Sequence, residues 1–287
     1  TKSGTNKFKG AVFGYTRNQD LTGGKISGEK LVVPDLSQNQ YGFALGGPIV
    51  KNKLFFFVNA EVDKRTDLGS TAIAAAPGRT GSNVSRVAKT DLDAVANALK
   101  TRFQYDPGVY EDYLHNTNST KAILKLDYQI SKNHTLTATY NFLDAFKQKP
   151  AHPSAIGRRG PDLTTLQFFN SGYQINNKIN SGIIELRSIF GNTAANKLQV
   201  GYTAFRDARD PFSNPFPVIN IQKDGIPYIV AGHEPFSIFN RLNQDVFQFT
   251  DNFNIYKGKH TYTIGTSLEV FSFDNSFNLN AYGGTFG

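Results

Sequence analysis

The sequence predicts an all-β chain that is part of a transmembrane, antiparallel, up-and-down β-barrel, and three observations carry that prediction. Large apolar residues recur on every second position over stretches of about 11 to 13 residues, far longer than the usual globular strand. The connections between those stretches alternate strictly between short and long. No stretch approaches the roughly 18 apolar residues of a membrane helix. Only 39% of the 287 residues are hydrophobic, a balance that a strand with one wet face allows.

The strands follow in order. The first is expected near residues 5–17. The next two form a hairpin in which Tyr41, Phe43, Leu45 and Ile49 alternate with Gly42, Ala44, Gly46 and Pro48, and the chain returns through Leu54, Phe56, Val58, Ala60 and Val62. Ala122, Leu124, Leu126, Tyr128 and Ile130 then alternate with Lys121, Lys125, Asp127 and Gln129. Leu136, Ala138, Tyr140 and Phe142 continue the pattern, as do Ile184 and Leu186, and Leu198, Val200, Tyr202 and Ala204. Phe247, Phe249, Phe253 and Ile255 mark the penultimate strand, and Tyr262, Ile264, Leu268 and Val270 the last of about nine. A tilted strand needs about 9–11 residues to cross a bilayer, so each is long enough.

The short connections fall at Lys51–Lys53, Ser131–His134, Gly191–Asn196 and Tyr256–His260, and the long ones near 18–37, 66–116, 147–177 and 209–243. All the tight turns therefore gather at one end of the sheet. Outer-membrane barrels segregate short periplasmic turns from long extracellular loops in this way. The second long loop carries "KTDLDAVANALKTRF", a short helix near 91–103 with Leu92, Val95, Ala96, Leu99 and Phe103 on one face and Thr90 and Asp93 spaced as a capping box. The small, turn-rich stretch before it, "STAIAAAPGRTGSNVS", is expected to be mobile.

Composition narrows the chemistry. With 0 Cys, disulfide, thiol and zinc-thiolate sites are out. The net charge of +8 suits an anionic partner, but the basic residues are dispersed and no nucleic-acid-binding module is present, so no nucleic-acid partner is expected. The five histidines (115, 134, 152, 233 and 260) fall in no metal-ligand spacing, and neither a metal nor a cofactor is expected. "SGEK" at 27–30 matches the S-x-x-K of serine β-lactamases but lacks both companion motifs, so chance explains it. Asp91/Asp93 open the helix, where negative charge is favourable, and Glu111/Asp112 read as an unaccompanied loop pair. No catalytic residue is assigned.

Two groups remain as site candidates. Arg158 and Arg159 in "HPSAIGRRGPD" lie in the third long loop, where they suit an acidic ligand, the phosphates of lipopolysaccharide, or plain solvation. Lys121, Lys125, Asp127, Glu185, Arg187 and Glu269 share the polar faces of their strands and are lumen-facing candidates, able to line a ligand path, bond an inner domain, or pair across strands.

The start of the chain carries a more specific signal. "SGTNKFKGAVFGYTRN" followed by "NQYGFALGGPIVKNKLFFFVNAE" resembles the first barrel hairpins of Oar-like TonB-dependent outer-membrane receptors, through Gly4, Thr5, Asn6, Phe8 and Gly10, then Gln40, Gly42, Gly46, Gly47, Pro48, Ile49, Lys51, Lys53, Phe55, Phe56 and Phe57. The motif match covers roughly residues 3–62. The resemblance implies a plug domain upstream, a 22-stranded barrel, a Gram-negative outer membrane, and import of an unidentified extracellular ligand with energy from the TonB complex, which would be contacted through an amino-terminal region. It also allows a surface lipoprotein as partner, with outer-membrane lipid and lipopolysaccharide around the barrel. The alternative is a passive porin-like or structural and adhesive barrel. At about 32 residues per strand, 22 strands need roughly 700 residues. Residues 1–287 are accordingly expected to be the amino-terminal part of the barrel, with the plug and remaining strands elsewhere.

Overall fold

The computed structural model describes residues 2–151, 160–234 and 236–277. Nine long strands form one antiparallel sheet: β1 (Lys9–Asn18), β4 (Leu36–Val50), β5 (Leu54–Leu68), β8 (Leu114–Ser131), β9 (His134–Lys149), β11 (Tyr173–Phe190), β12 (Ala194–Pro211), β15 (Asn240–Lys257) and β16 (His260–Ser276). Each pairs with the next in that order, and β1 and β16 stand at the two edges of an open sheet. The numbers between belong to short elements of the long loops: β2 (Lys25–Ile26), β3 (Glu29–Lys30), β6 (Ile73–Ala75), β7 (Val84–Ala88), α1 (Lys89–Phe103), β10 (Leu166–Gln167), β13 (Ile219–Lys223) and β14 (Ile226–Ala231).

The cross-strand register confirms the alternation read from the sequence. Phe56, Leu126, Ala138, Ile184, Val200, Phe249 and Leu268 form one continuous row across the sheet, and Val58, Leu124, Tyr140, Gly182, Tyr202, Phe247 and Val270 form the next. These side chains have no layer packed over them; Ile184 is 55% exposed and Leu268 52%. The opposite face carries Lys125, Asp127, Thr137, Glu185 and Gln199. A sheet apolar on one bare face and polar on the other is a bilayer wall, with lipid outside and water within.

The strands run 15–18 residues from β4 onward, longer than the sequence pattern suggested. The surplus lies toward the long loops. There the outward face changes from apolar to ionic, with Lys178 on Asp144 at 3.0 Å and Arg206 on Asp245 at 2.8 Å. Tyr202 donates to Asp245 at 2.7 Å and Tyr140 to Asn180 at 2.6 Å. Amphipathic tyrosines whose hydroxyls reach polar or charged partners mark the membrane boundary, and the strands project beyond it.

Above that boundary the long loops build a small body with its own core. Leu92, Leu99 and Val87 from the second loop, Leu166 and Phe168 from the third, and Tyr228, Ile229 and Ala231 from the fourth pack together. A three-stranded sheet in the order β10-β14-β13 ties the third loop to the fourth. Three expectations are corrected here. The stretch before α1 is ordered rather than mobile: Ala72 and Ala74 are buried in this core, and Ser70 Oγ donates to the Ala72 carbonyl at 2.9 Å. The capping box does not form, because the helix begins at Lys89 with Ala88 as its N-cap and Thr90 falls inside the first turn; Asp93 accepts from Lys89 at 2.8 Å and from the Tyr110 hydroxyl at 2.7 Å. Phe103, placed on the apolar face of the helix by its spacing, is 62% exposed.

Two predictions follow from this division. Leu92→Ala removes a fully buried side chain and should cost the loop body about 2–5 kcal/mol, read as faster amide exchange across 84–103 while β11–β15 stay protected; unchanged exchange there would show that the loops have no shared core. Ile184→Arg should cost about 2–4 kcal/mol in urea unfolding from lipid vesicles if it sits near the bilayer midplane. Its neighbour Ile183→Arg, on the wet face, should cost less, and equal losses would refute the assignment of the two faces.

Candidate functional site

Strand pairing decides which polar side chains meet on the inner face. Glu61 and Lys121 are direct partners across β5 and β8, and their side chains bond at 2.9 Å. Lys125 and Asp127 lie two residues apart on one face and meet at 3.4 Å, while Thr137, directly opposite, donates to Asp127 at 2.8 Å. Glu185 holds Arg187 at 2.6 Å and Lys197 at 3.0 Å. Lys125, Asp127, Thr137, Glu185, Arg187 and Lys197 line a 450 Å³ recess toward the tight-turn end, whose wall includes Ser3, and the Glu61–Lys121 pair stands beside it. This is the floor of the inner face.

The segment leading into β1 lies on that floor. Lys125 Nζ donates to Ser3 Oγ at 2.6 Å. Gly4 is needed there because a Cβ would collide with the Phe56 carbonyl oxygen, and Gly47 leaves room for the Phe8 ring on the opposite face. The glycines of the first two motifs thus let the incoming chain press against the first hairpin.

A second recess, of 490 Å³, opens at the loop end of the same face. Its wall includes Asp67, His115, Thr117, Lys147, Lys149 and Tyr173. Register places Asp67 opposite His115 and Thr117 opposite Lys147. Arg65 grips Asp67 through both Nε and a terminal nitrogen at 2.7 Å, and the Arg209 guanidinium lies 5.4 Å from the Tyr173 ring centre.

Residues 1–287 match the family model described as outer membrane beta barrel domain. The chain belongs to that family. The TonB-dependent transporter Oar of Myxococcus xanthus is 30% identical over 148 residues, which is 49% of this chain and 13% of that transporter's length. The barrel domain resides in the outer membrane of a Gram-negative cell.

Within the barrel domain, five of the six lumen-facing candidates occupy the floor or the adjoining wall: Lys121, Lys125, Asp127, Glu185 and Arg187 each meet a charged partner there. Glu269 shares the inner face but stands apart on β16, accepting from Gln248 at 2.8 Å. Arg158 and Arg159 lie outside the described residues. Glu111, read from the sequence as unaccompanied, holds Arg79 at 2.9 Å and accepts from the Ala74 amide at 3.0 Å. Sequence reasoning missed Lys147 and Lys149, although both continue the inward parity of Thr135, Thr137 and Thr139; the wider loop estimate had assigned them to a connection.

The roof over the loop end contains two buried titratable groups. His233 and Glu234 are 1% and 0% exposed. Burial pushes the His233 imidazole below its ordinary value and lifts the Glu234 carboxyl above its own, although Ser237 Oγ and the Phe236 amide donate to that carboxylate. The two act with opposite sign. A lowered imidazole contributes stability that is present above its unfolded value, about 6.5, and lost as pH falls below it; the raised carboxyl favours the folded roof as pH falls through its folded range. Protection of 226–234 should therefore decline on acidification just below pH 6.5, and His233→Asn should flatten that decline. An identical slope in the variant would remove His233 from the account.

Proposed function

We propose that this barrel domain is part of a ligand-specific importer, in which a solute is captured at the loop end and moved inward with energy delivered through TonB. The single observation that carries the reading is the path of residues 2–5, which approach β1 across the inner polar face. A chain arriving from inside the wall is what an upstream plug requires. The charged floor offers such a plug hydrogen-bonding partners, and a recess opens at the outer end of the same face. The partial likeness to a TonB-dependent transporter supports the same reading. In it, the barrel has 22 strands and moves its cargo without covalent chemistry, and a surface lipoprotein is a compatible partner. Lysines and polar groups on the floor act by releasing the plug when force is applied to it.

Planar-bilayer conductance of the full-length protein separates this from a passive pore. A plugged importer should show no stable ion conductance at rest and should open reversibly when mild denaturant loosens the plug. Steady conductance of the untreated protein would establish a porin-like function instead.

A further inference from the structure

We propose that the outward face of the sheet holds one lipid A molecule, the phosphorylated and acylated anchor of lipopolysaccharide. An acyl chain lies in a slot at Gly182, and a phosphate bridges Lys178 and Arg206. The site belongs to the wall alone and does not depend on what the barrel carries.

The slot is a 380 Å³ groove in the outward apolar face, lined by Leu124, Tyr140, Gly182, Ile184, Tyr202 and Phe247 among others. Register sets Tyr140 and Tyr202 on either side of Gly182. Neighbouring strands stand about 4.8 Å apart, so the missing side chain leaves a channel one strand wide, close to the thickness of a hydrocarbon chain. Ala138, opposite Ile184, extends it diagonally toward the tight-turn end. The wall itself does not require this glycine. A Cβ at Gly182 would meet nothing within 4 Å, whereas at Gly42 and Gly47 it would strike the Phe13 and Phe8 rings. Glycine weakens a strand interior, and one that no neighbour demands marks a place where another molecule approaches closely.

The loop-end halves of the same strands define the head of the occupant. Lys178 and Arg206 are direct cross-strand partners on the outward face, four residues beyond Gly182 and Tyr202. At a rise of about 3.4 Å per residue they sit about 14 Å from the centre of the slot. Like charges directly opposite each other are unfavourable. Each is steadied by one carboxylate from the strand beside it, Asp144 at 3.0 Å and Asp245 at 2.8 Å. A phosphate between the two cations relieves their repulsion through charge-assisted hydrogen bonds. The Tyr140 and Tyr202 hydroxyls, bonded to Asn180 and Asp245, mark the headgroup boundary between cations and slot. An occupant with phosphate above that boundary and hydrocarbon below it is a lipid. The long loops put this end of the wall in the outer leaflet, where the phosphorylated lipid of a Gram-negative cell is lipid A.

The test is native mass spectrometry of the full-length protein, released from detergent micelles after incubation with diphosphorylated lipid A, its dephosphorylated form, or phosphatidylglycerol. One lipid A molecule should stay bound under conditions where the other two lipids are lost. Gly182→Leu fills the slot and should weaken retention about tenfold or more, as should Lys178→Gln combined with Arg206→Gln. Ala60→Leu, which adds bulk to the outward side of β5 away from the slot, should leave retention unchanged. Thermal unfolding separates binding from folding: in lipid-free micelles Gly182→Leu should melt no lower than the parent protein, yet lose the rise in melting temperature that lipid A gives. Gly182→Val, which suits a strand better, carries the same expectation and keeps the test decisive if leucine disturbs the ladder. Equal retention of phosphatidylglycerol or of the dephosphorylated form, no retained lipid, or unaltered retention in both Gly182 variants would overturn the proposal. So would a dimer that persists without lipid and dissociates in Gly182→Leu, which makes the slot a contact between two copies of the chain.

Discussion

Every peptide group in the sheet faces the same constraint: no water is available inside the membrane to bond a free N–H or C=O. Pairing along the whole length of each strand is therefore obligatory, and the ladders from β4 to β16 run nearly unbroken from turn to loop end. Everything else follows from that continuity. A ladder without slips keeps residue parity constant, so one face remains apolar across eight strands. A shift of one residue would carry Ile184 and its row to the water and bring Glu185 to the lipid. The tight turns hold the register, with Asn52, Gly191 and Gly258 in left-handed backbone conformations where the chain reverses.

This architecture separates membrane stability from ordinary core packing. The fully buried apolar side chains of the described residues fall in 72–113, 151–173 and 228–238, at the loop end and not within the wall. The wall uses lipid in place of a core, because its apolar side chains need only leave water. The loops rise past the ionic belt of Lys178–Asp144 and Arg206–Asp245 into water, and must bury Leu92, Phe168 and Ile229 against one another. The result is an ordered roof standing on a wall, each obeying a different solvent.

The inner face is densely paired at its floor. At the floor, cations and anions fall within reach of each other because cross-strand register puts them there, and the incoming segment at Ser3 joins the network. Toward the loop end the recess wall brings Asp67, held by Arg65, together with His115, Thr117 and Lys147.

The sequence by itself determined the wall. Its two-residue period, the segregation of short from long connections, and the glycines of the first hairpin are local features, and strand pairing between chain neighbours is a local consequence of them. The inner candidates from Lys121 to Arg187 were legible for the same reason, since parity alone assigns a face. Tertiary structure decided the roof and the mouth. Leu166 pairs with Ile229, Arg86 reaches Asp224, and Tyr228 donates to Asp91, contacts between segments far apart in the chain that no periodicity encodes. The expected Thr90–Asp93 cap gave way because the helix starts at Lys89, one residue earlier than the spacing implied, and Asp93 accepts from Tyr110, a residue brought back over the helix by the loop. Lys147 and Lys149 reach the wall of the outer recess only because β9 runs to Lys149, well past the paired floor.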